Sequence, residues 1–323
     1  MPERRRWFAE PPKPVQLTNG PLNFSWPAVS RDGKKIFAVG SQPRTEVELY
    51  RAQSGLTTYL EGVSATDLAF SRNGQFVAYV SVPEGTLWRS RADGTQRLQL
   101  TAPPFQAALP RWSPDGKLIV FMGRSANANW RAYMIASGGG ATDDVLPSAD
   151  VGFDPGWSPD GKAIVLTLNV AGDPPMTPSG PGIAIADLQT KKVSLLQGAA
   201  RLFSPRWSPD GRYIAAVTDD TWKLELFDRV TQKWSELSAM PTGYPSWSHD
   251  GKYLYFNTTL VDDPAFFRIR ISDRKLERLV SLKGLRSFEG EFGEWMGLAP
   301  DDSLLLLRDT SSQEIYALSW QSP

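Results

Sequence analysis

The sequence predicts an all-β fold, a seven-bladed β-propeller of four-stranded antiparallel blades, on three observations. Helix-forming runs are scarce, because 27 Gly and 26 Pro interrupt the 323 residues every few positions while Val, Ile, Tyr, Phe and Trp gather in short runs. One stretch, RWSPDGKLIVFM at 111–122, returns as GWSPDGKAIVLT, RWSPDGRYIAAV and SWSHDGKYLYFN. Its period is that of a unit too small to bury its own faces, which becomes stable only when stacked on neighbours.

Admitting degenerate copies brings the signatures to seven, with WPAVSRDGKKIFAV from Trp26, LAFSRNGQFVAYV from Leu68 and LAPDDSLLLL from Leu298 added to those at Trp112, Trp157, Trp207 and Trp247. The turn glycines stand at 33, 74, 116, 161, 211 and 251, with Asp302 in the seventh copy, so successive spacings are 41, 42, 45, 50, 40 and 51 residues. Each unit reads as four short strands. Around 204–237 these are SPRW, YIAAV, KLELFD and KWSEL, separated by turn-forming residues.

Ser-Pro-Asp-Gly is a hairpin turn in which Pro presets φ, Asp bonds nearby backbone and Gly supplies the positive φ that restores register. The preceding Trp ends the innermost strand and offers a broad face to the next blade. Pro110, Pro155, Pro205 and Pro245 stand two residues before it, where a strand edge facing the central channel needs no ladder bond. The recurring stretch therefore reads as scaffold. After the seventh signature only LLLLR and EIYALSW remain, so the last blade lacks its fourth strand. PVQLT at 14–18 is the expected latch, pairing beside residues 314–319 to close the ring. Residues 1–13 form an N-terminal arm and 14–323 a single propeller domain.

Copies of W-S-P-D-G-[KR] before an apolar strand, with a strand ending in Gln16-Leu17-Thr18, resemble the TolB-like, WD40-like propeller repeats of bacteria. The ending WMGLAPDDSLLLLRDTSSQEIYALSW further resembles the C-terminal propeller of large bacterial sensor proteins. In those proteins a winged-helix or protein-kinase domain and a membrane helix precede the propeller. The resemblance implies either a free-standing propeller or the sensory part of a longer regulator. TolB-like propellers mostly serve as interaction platforms, and some relatives carry a peptidase domain or act as sugar lyases.

Charge and motifs narrow the function classes. Lys plus Arg and Asp plus Glu each number 35, so no long-range field steers the chain to nucleic acid. There is no cysteine, which removes disulfides, thiolate catalysis and Cys-based zinc, and suits cytoplasm and periplasm equally. MPERRRWFAEPPKP lacks the apolar segment of a secretion signal, and no apolar run is long enough to span a membrane. GRSAN at 123–127 misses the last Gly of a nucleophile elbow, and the single histidine, His249, replaces Pro in a turn. The resemblance implies that lyase-like relatives use several histidines around a metal, which one histidine cannot supply. The paired aspartates and Glu289, Glu291 and Glu294 lack calcium-loop spacing, and SGGGAT at 137–142 lacks the Lys of a phosphate loop. Neither metal nor cofactor is expected.

Loop length points to a face. The first-to-second and third-to-fourth strand turns are tight and share one side of the ring. Longer loops at 123–129, 171–182, 257–264 and 283–294 emerge on the other. The expected function is a non-enzymatic, monomeric interaction or ligand-sensing propeller that binds a protein, peptide or small ligand on the long-loop face. Its candidate residues are Arg44, Trp130, Asp173, Trp222, Asp262 and Glu291, with Arg111 and Arg206 toward the channel. The alternative is a carbohydrate-active enzyme using loop carboxylates at the channel mouth.

Overall fold

A computed structural model describes Thr18 and residues 22–126, 128–146, 151–169, 182–259 and 261–319. The regular elements among the described residues are all β-strands, and there is no helix among them long and apolar enough to cross a membrane. In chain order the first strands are β1 (Asn23–Val29), β2 (Lys35–Gln42), β3 (Thr45–Arg51), β4 (Gly55–Tyr59), β5 (Ala65–Phe70), β6 (Phe76–Ser81), β7 (Leu87–Arg91) and β8 (Leu98–Gln99). Then come β9 (Gln106–Trp112), β10 (Leu118–Arg124), β11 (Arg131–Ala136), β12 (Asp143–Asp144), β13 (Val151–Trp157), β14 (Ala163–Asn169), β15 (Gly182–Asp187) and β16 (Val193–Ala200). They are followed by β17 (Leu202–Trp207), β18 (Tyr213–Thr218), β19 (Leu224–Asp228), β20 (Lys233–Ser238), β21 (Gly243–Trp247), β22 (Tyr253–Thr258), β23 (Ala265–Arg270) and β24 (Leu276–Ser281). The last are β25 (Glu289–Gly290), β26 (Gly293–Glu294), β27 (Met296–Leu298), β28 (Leu304–Asp309) and β29 (Ser312–Ser319).

The seven signatures open seven antiparallel sheets. Six have four strands, in the orders β5-β6-β7-β8, β9-β10-β11-β12, β13-β14-β15-β16, β17-β18-β19-β20, β21-β22-β23-β24 and β27-β28-β3-β4. These lie in one compact unit, Arg44–Thr310, where the inner strands β5, β9, β13, β17, β21 and β27 neighbour one another in a closed circuit. The sheet of the first signature has three strands, β1-β2-β29, and belongs to a second compact unit made from the two ends of the chain. The chain thus falls into two compact units.

Residues from the N-terminal part of the chain complete the last blade of the ring. Two strands, β3 and β4, complete the last blade, with Leu304 opposite Tyr50 and Asp309 opposite Thr45. Residues 312–319 pair with β2, Ser312 opposite Gln42 and Ser319 opposite Lys35, so β2 and β3 belong to different sheets; residues 14–17 of the expected latch lie outside the described residues. A physical reason stands between β2 and β3. Only Pro43 and Arg44 join them, and a two-residue hairpin needs positive φ at its first central position, which the proline ring forbids. In the smaller unit Phe24 packs edge-on against Tyr316, ring centroids 5.5 Å apart, across Gly40, where a Cβ would collide with the Tyr316 ring.

Alternation along the second strand of each ring blade explains why these strands read as unbroken apolar runs. Ile119 and Phe121 enter the core shared with the β5–β8 sheet, while Val120 enters the core shared with the β13–β16 sheet. Ile164 and Leu166 face one way and Val165 the other, as do Ile214 and Ala216 against Ala215 and Val217. Six such cores fill the six gaps between ring blades, so both faces of each sheet are covered and neither needs polar residues.

The repeated motif has the mechanical role read from sequence. In the turn after Trp112, Gly116 N donates to Ser113 O at 2.9 Å, and the Ser113 hydroxyl donates to Asp115 Oδ1 at 2.7 Å while accepting from Leu118 N at 2.9 Å. Asp115 Oδ1 also accepts from Lys117 N, and Gly116 takes φ 71°. Consecutive turns touch, since a Cβ on Gly161 would lie 3.5 Å from Pro114 Cδ, and one on Gly251 3.4 Å from Pro209 Cδ. The indole of Trp112 donates to Ala69 O, that of Trp157 to Arg111 O and that of Trp247 to Arg206 O, each tying its blade to the preceding one. Trp207 donates to Gly211 O of its own turn and carries the Arg229 guanidinium over its ring at 4.8 Å. Trp26 is not an equivalent of these tryptophans. Aligning turn on turn puts Val29 in their place, and Trp26 three residues earlier at a bulge, 83% exposed.

Candidate functional site

The inner strands of the ring carry a second repeated feature, a bulge three residues before the signature position. Asp67, Leu109, Asp154, Ser204 and Tyr244 all stand there with φ between 45° and 56°, left-handed values that non-glycine side chains adopt only when the surroundings enforce them. Two residues on, immediately before the signature residue, come Ala69, Arg111, Gly156, Arg206, Ser246 and Gly297. All six line one cavity of about 400 Å³ that reaches the Ser-Pro turns. Four of the six are small, and that leaves the space; the other two are arginines.

Blades β9, β13 and β17 are consecutive, and Asp154 on the middle one lies between the two guanidiniums. Arg206 Nη2 donates to Asp154 Oδ2 at 2.9 Å, Ser204 Oγ donates to the same oxygen at 2.6 Å, and Arg111 Nη2 stands 3.8 Å from Asp154 Oδ1. Each arginine also donates through Nη1 to the carbonyl of the proline before it, Arg111 to Pro110 O at 2.8 Å and Arg206 to Pro205 O at 2.9 Å. Burial opposes the Asp154 charge, but Arg206, Arg111 and the two hydrogen bonds outweigh it and hold the carboxyl below its ordinary range. Arg111 is pulled down to about 10 by burial and by the Arg206 charge. Asp67, whose Oδ2 accepts from Leu109 N at 3.1 Å, is pushed up to about 6, mainly by burial. The Tyr244 phenol is raised far above its usual value by burial and by the Asp67 and Asp154 carboxylates. Asp154 Oδ1 and Arg206 Nε are buried without a hydrogen-bond partner among the described residues.

The long-loop end of the channel is bridged. The hairpin β25-β26 places Glu291 against Arg124 in a bidentate pair at 2.8 and 2.9 Å, and Glu291 Oε1 also accepts from Trp130 Nε1 at 2.8 Å. Arg124 lies 4.2 Å from the Trp130 ring centroid, and Phe292 packs edge-on against Trp130. The same hairpin accepts the Tyr244 hydroxyl at Phe292 O, 2.8 Å. Tyr244 and Trp130 belong to blades opposite one another in the six-membered circuit, so a hairpin bonded to both lies across the channel.

The structure thus joins Trp130 and Glu291, and Arg111 and Arg206, but does not merge the two groups. Trp222 stacks edge-on against Phe203 with centroids 5.5 Å apart, and its carbonyl accepts from Thr242 N, which makes it part of a blade. Arg44 is exposed, its carbonyl accepting from Thr310 N, and Asp262 is exposed in a loop. Asp173 lies outside the described residues. His249 donates its backbone N–H to Asp302 Oδ1 at 2.9 Å, a bond that Pro at that position cannot make. Sequence reasoning missed Asp67, Asp154, Ser204 and Tyr244. The available signal was the residue before each motif proline, which reads Asp154, Ser204 and Tyr244 in three successive blades.

Among solved structures the chain is similar to a protein of Agrobacterium tumefaciens assigned as a TolB candidate, at 18% identity and a TM-score of 0.64, over 83% of this chain and 98% of that one. The fold is a TolB-like β-propeller. TolB from Acinetobacter baumannii matches at 20% identity and a TM-score of 0.59 over 84% of this chain, which spans 66% of that protein. An oligogalacturonate lyase in complex with manganese matches at 12% identity and 0.58, over 90% of this chain and 96% of that one. No family model and no curated protein matches this chain. Its described residues contain no group of three or more His, Cys, Asp or Glu placed to hold a metal ion.

Proposed function

We propose that this TolB-like propeller is a non-enzymatic binding module whose ligand enters the cavity at the Ser-Pro turn end of the channel. The observation that carries this reading is the ring of six equivalent positions, four of them small, around about 400 Å³ of space, with Arg111 and Arg206 as its charged members. A concave site with few convergent polar groups is what small-ligand recognition requires. The long-loop end, expected from loop length to be the binding face, has its best candidates Trp130 and Glu291 engaged with each other and with Arg124. A glycosidase needs one carboxyl poised as acid and another facing it across an open cleft. Asp154 is instead committed to Arg206 and Ser204, and Asp67 is 5% exposed, which favours binding over catalysis.

The test is a ligand-observed NMR screen of small aromatic and polar fragments against the wild-type chain, Ser246→Trp and Glu291→Ala. Ser246→Trp fills the cavity beside the arginines, and it should abolish the hits while Glu291→Ala keeps them. Hits lost in Glu291→Ala and retained in Ser246→Trp would move the site to the long-loop end and refute this reading.

A further inference from the structure

We propose that the cavity takes a ligand bearing a single carboxylate on an apolar body, with the carboxylate held by Arg111 and Arg206. This deepens the binding reading and rests on it. Two guanidiniums reach the cavity from blades two steps apart, and each is fixed by the same bond from Nη1 to the preceding proline carbonyl. Their planar forks are therefore set before any ligand arrives, and a guanidinium fork matches a carboxylate in shape. Arg206 commits Nη2 to Asp154, whereas the more exposed Arg111 side chain stands 3.8 Å from that carboxylate and presents the freer guanidinium.

Arg111 and Arg206 share the Asp154 carboxylate, and Arg72 adds a further cation to the cavity lining, so the charged groups of the lining favour an anion. The wall is about equally polar and apolar: Trp112, Trp157, Trp207 and Trp247 line it and suit an aromatic body, and the turn serines lie beside them. Carboxylate on such a body comes from a free arylalkanoic acid or from the C-terminus of a peptide ending in an aromatic residue.

The experiment titrates the full chain with 3-phenylpropionate, 3-phenylpropionamide, phenyl phosphate and the free-acid peptide acetyl-Gly-Phe, reading tryptophan fluorescence. The acid should bind saturably, at least about tenfold tighter than the amide and tighter than phenyl phosphate, as expected for a charge-assisted bond in a partly enclosed site. Arg206→Gln strands Asp154 and risks misfolding, so the deciding variant is Arg111→Gln, whose Asp154 contact is the longer one. With an unchanged melt, it should weaken the acid tenfold and leave the amide unaltered. A tighter peptide identifies a chain terminus as the source, and a tighter small acid a metabolite. Equal binding of acid and amide, with both lost in Ser246→Trp, overturns the carboxylate inference and leaves the cavity reading standing. Acid binding that survives Ser246→Trp overturns both, and no saturable binding of any probe at millimolar concentration overturns the inference.

Discussion

Asp154→Asn should be among the most destabilising isosteric changes in the ring. The substitution keeps shape and removes the one negative charge between two guanidiniums. Arg206, with a side chain 9% exposed, keeps only a neutral amide oxygen where the carboxylate accepted at 2.9 Å, and the Ser204 hydroxyl shares that weaker acceptor. Breaking a buried pair by removing one partner costs about 3–5 kcal/mol, because the remaining charge stays desolvated. For a folding unit of this size each kcal/mol moves Tm by about 2–4 °C, so the loss falls in the range of roughly 6–20 °C. The control is Asp301→Asn. Its partner Arg51 stands at 3.1 Å with both side chains about half exposed, and such surface pairs contribute about 0–1 kcal/mol. Differential scanning calorimetry at pH 7 in low and high salt measures both. The Asp154→Asn loss should be insensitive to salt, since a buried pair is little screened. A shift within 2 °C of the control would show that Arg111 and Arg206 do not depend on Asp154, and the charge argument would fail.

Three further predictions follow from the same geometry. The Asp67 carboxyl is raised in the folded state, so the native form binds more protons than the unfolded one; its contribution is complete below about pH 4 and is lost as pH rises through about 6, roughly 3 kcal/mol in all, and urea titrations should show this slope in the wild type and not in Asp67→Asn. His249→Pro removes the N–H that Asp302 accepts and should cost about 1 kcal/mol, whereas His249→Pro with Asp302→Gly restores the Pro-against-Gly turn contact of the other blades; a double-mutant cycle should give a coupling above about 0.5 kcal/mol, and strict additivity would contradict the paired reading. Trp157→Phe removes the hydrogen bond that ties its blade to the preceding one and should cost about 1 kcal/mol, as chemical denaturation can resolve; no measurable loss would contradict the tie.

The fold was legible because its determinants are local and repeated. Ser-x-Asp-Gly specifies its turn through bonds within six residues, and an apolar run such as Ile119-Val120-Phe121-Met122 announces a strand covered on both faces. The strands of the 204–237 blade fall where the sequence places them. The first signature was harder, since Trp26 imitates a motif tryptophan while its turn assigns that position to Val29. The candidate site was half legible. Arg111 and Arg206 stand beside conspicuous tryptophans, whereas Asp67 lies in a degenerate copy with no proline to mark the bulge.

By itself the sequence determined the strand-turn alphabet, the number of signatures and the scaffold role of the motif, because each depends on contacts that every unit makes in the same way. Tertiary structure alone decided which strands complete the last blade, which end of the channel is open and which charges meet. Pairing of β28 with β3 joins residues more than 250 positions apart, the β25-β26 hairpin reaches a blade on the far side of the circuit, and Asp154 meets Arg206 across a blade boundary. Such contacts carry no local periodicity, so they come into existence only when the ring has closed.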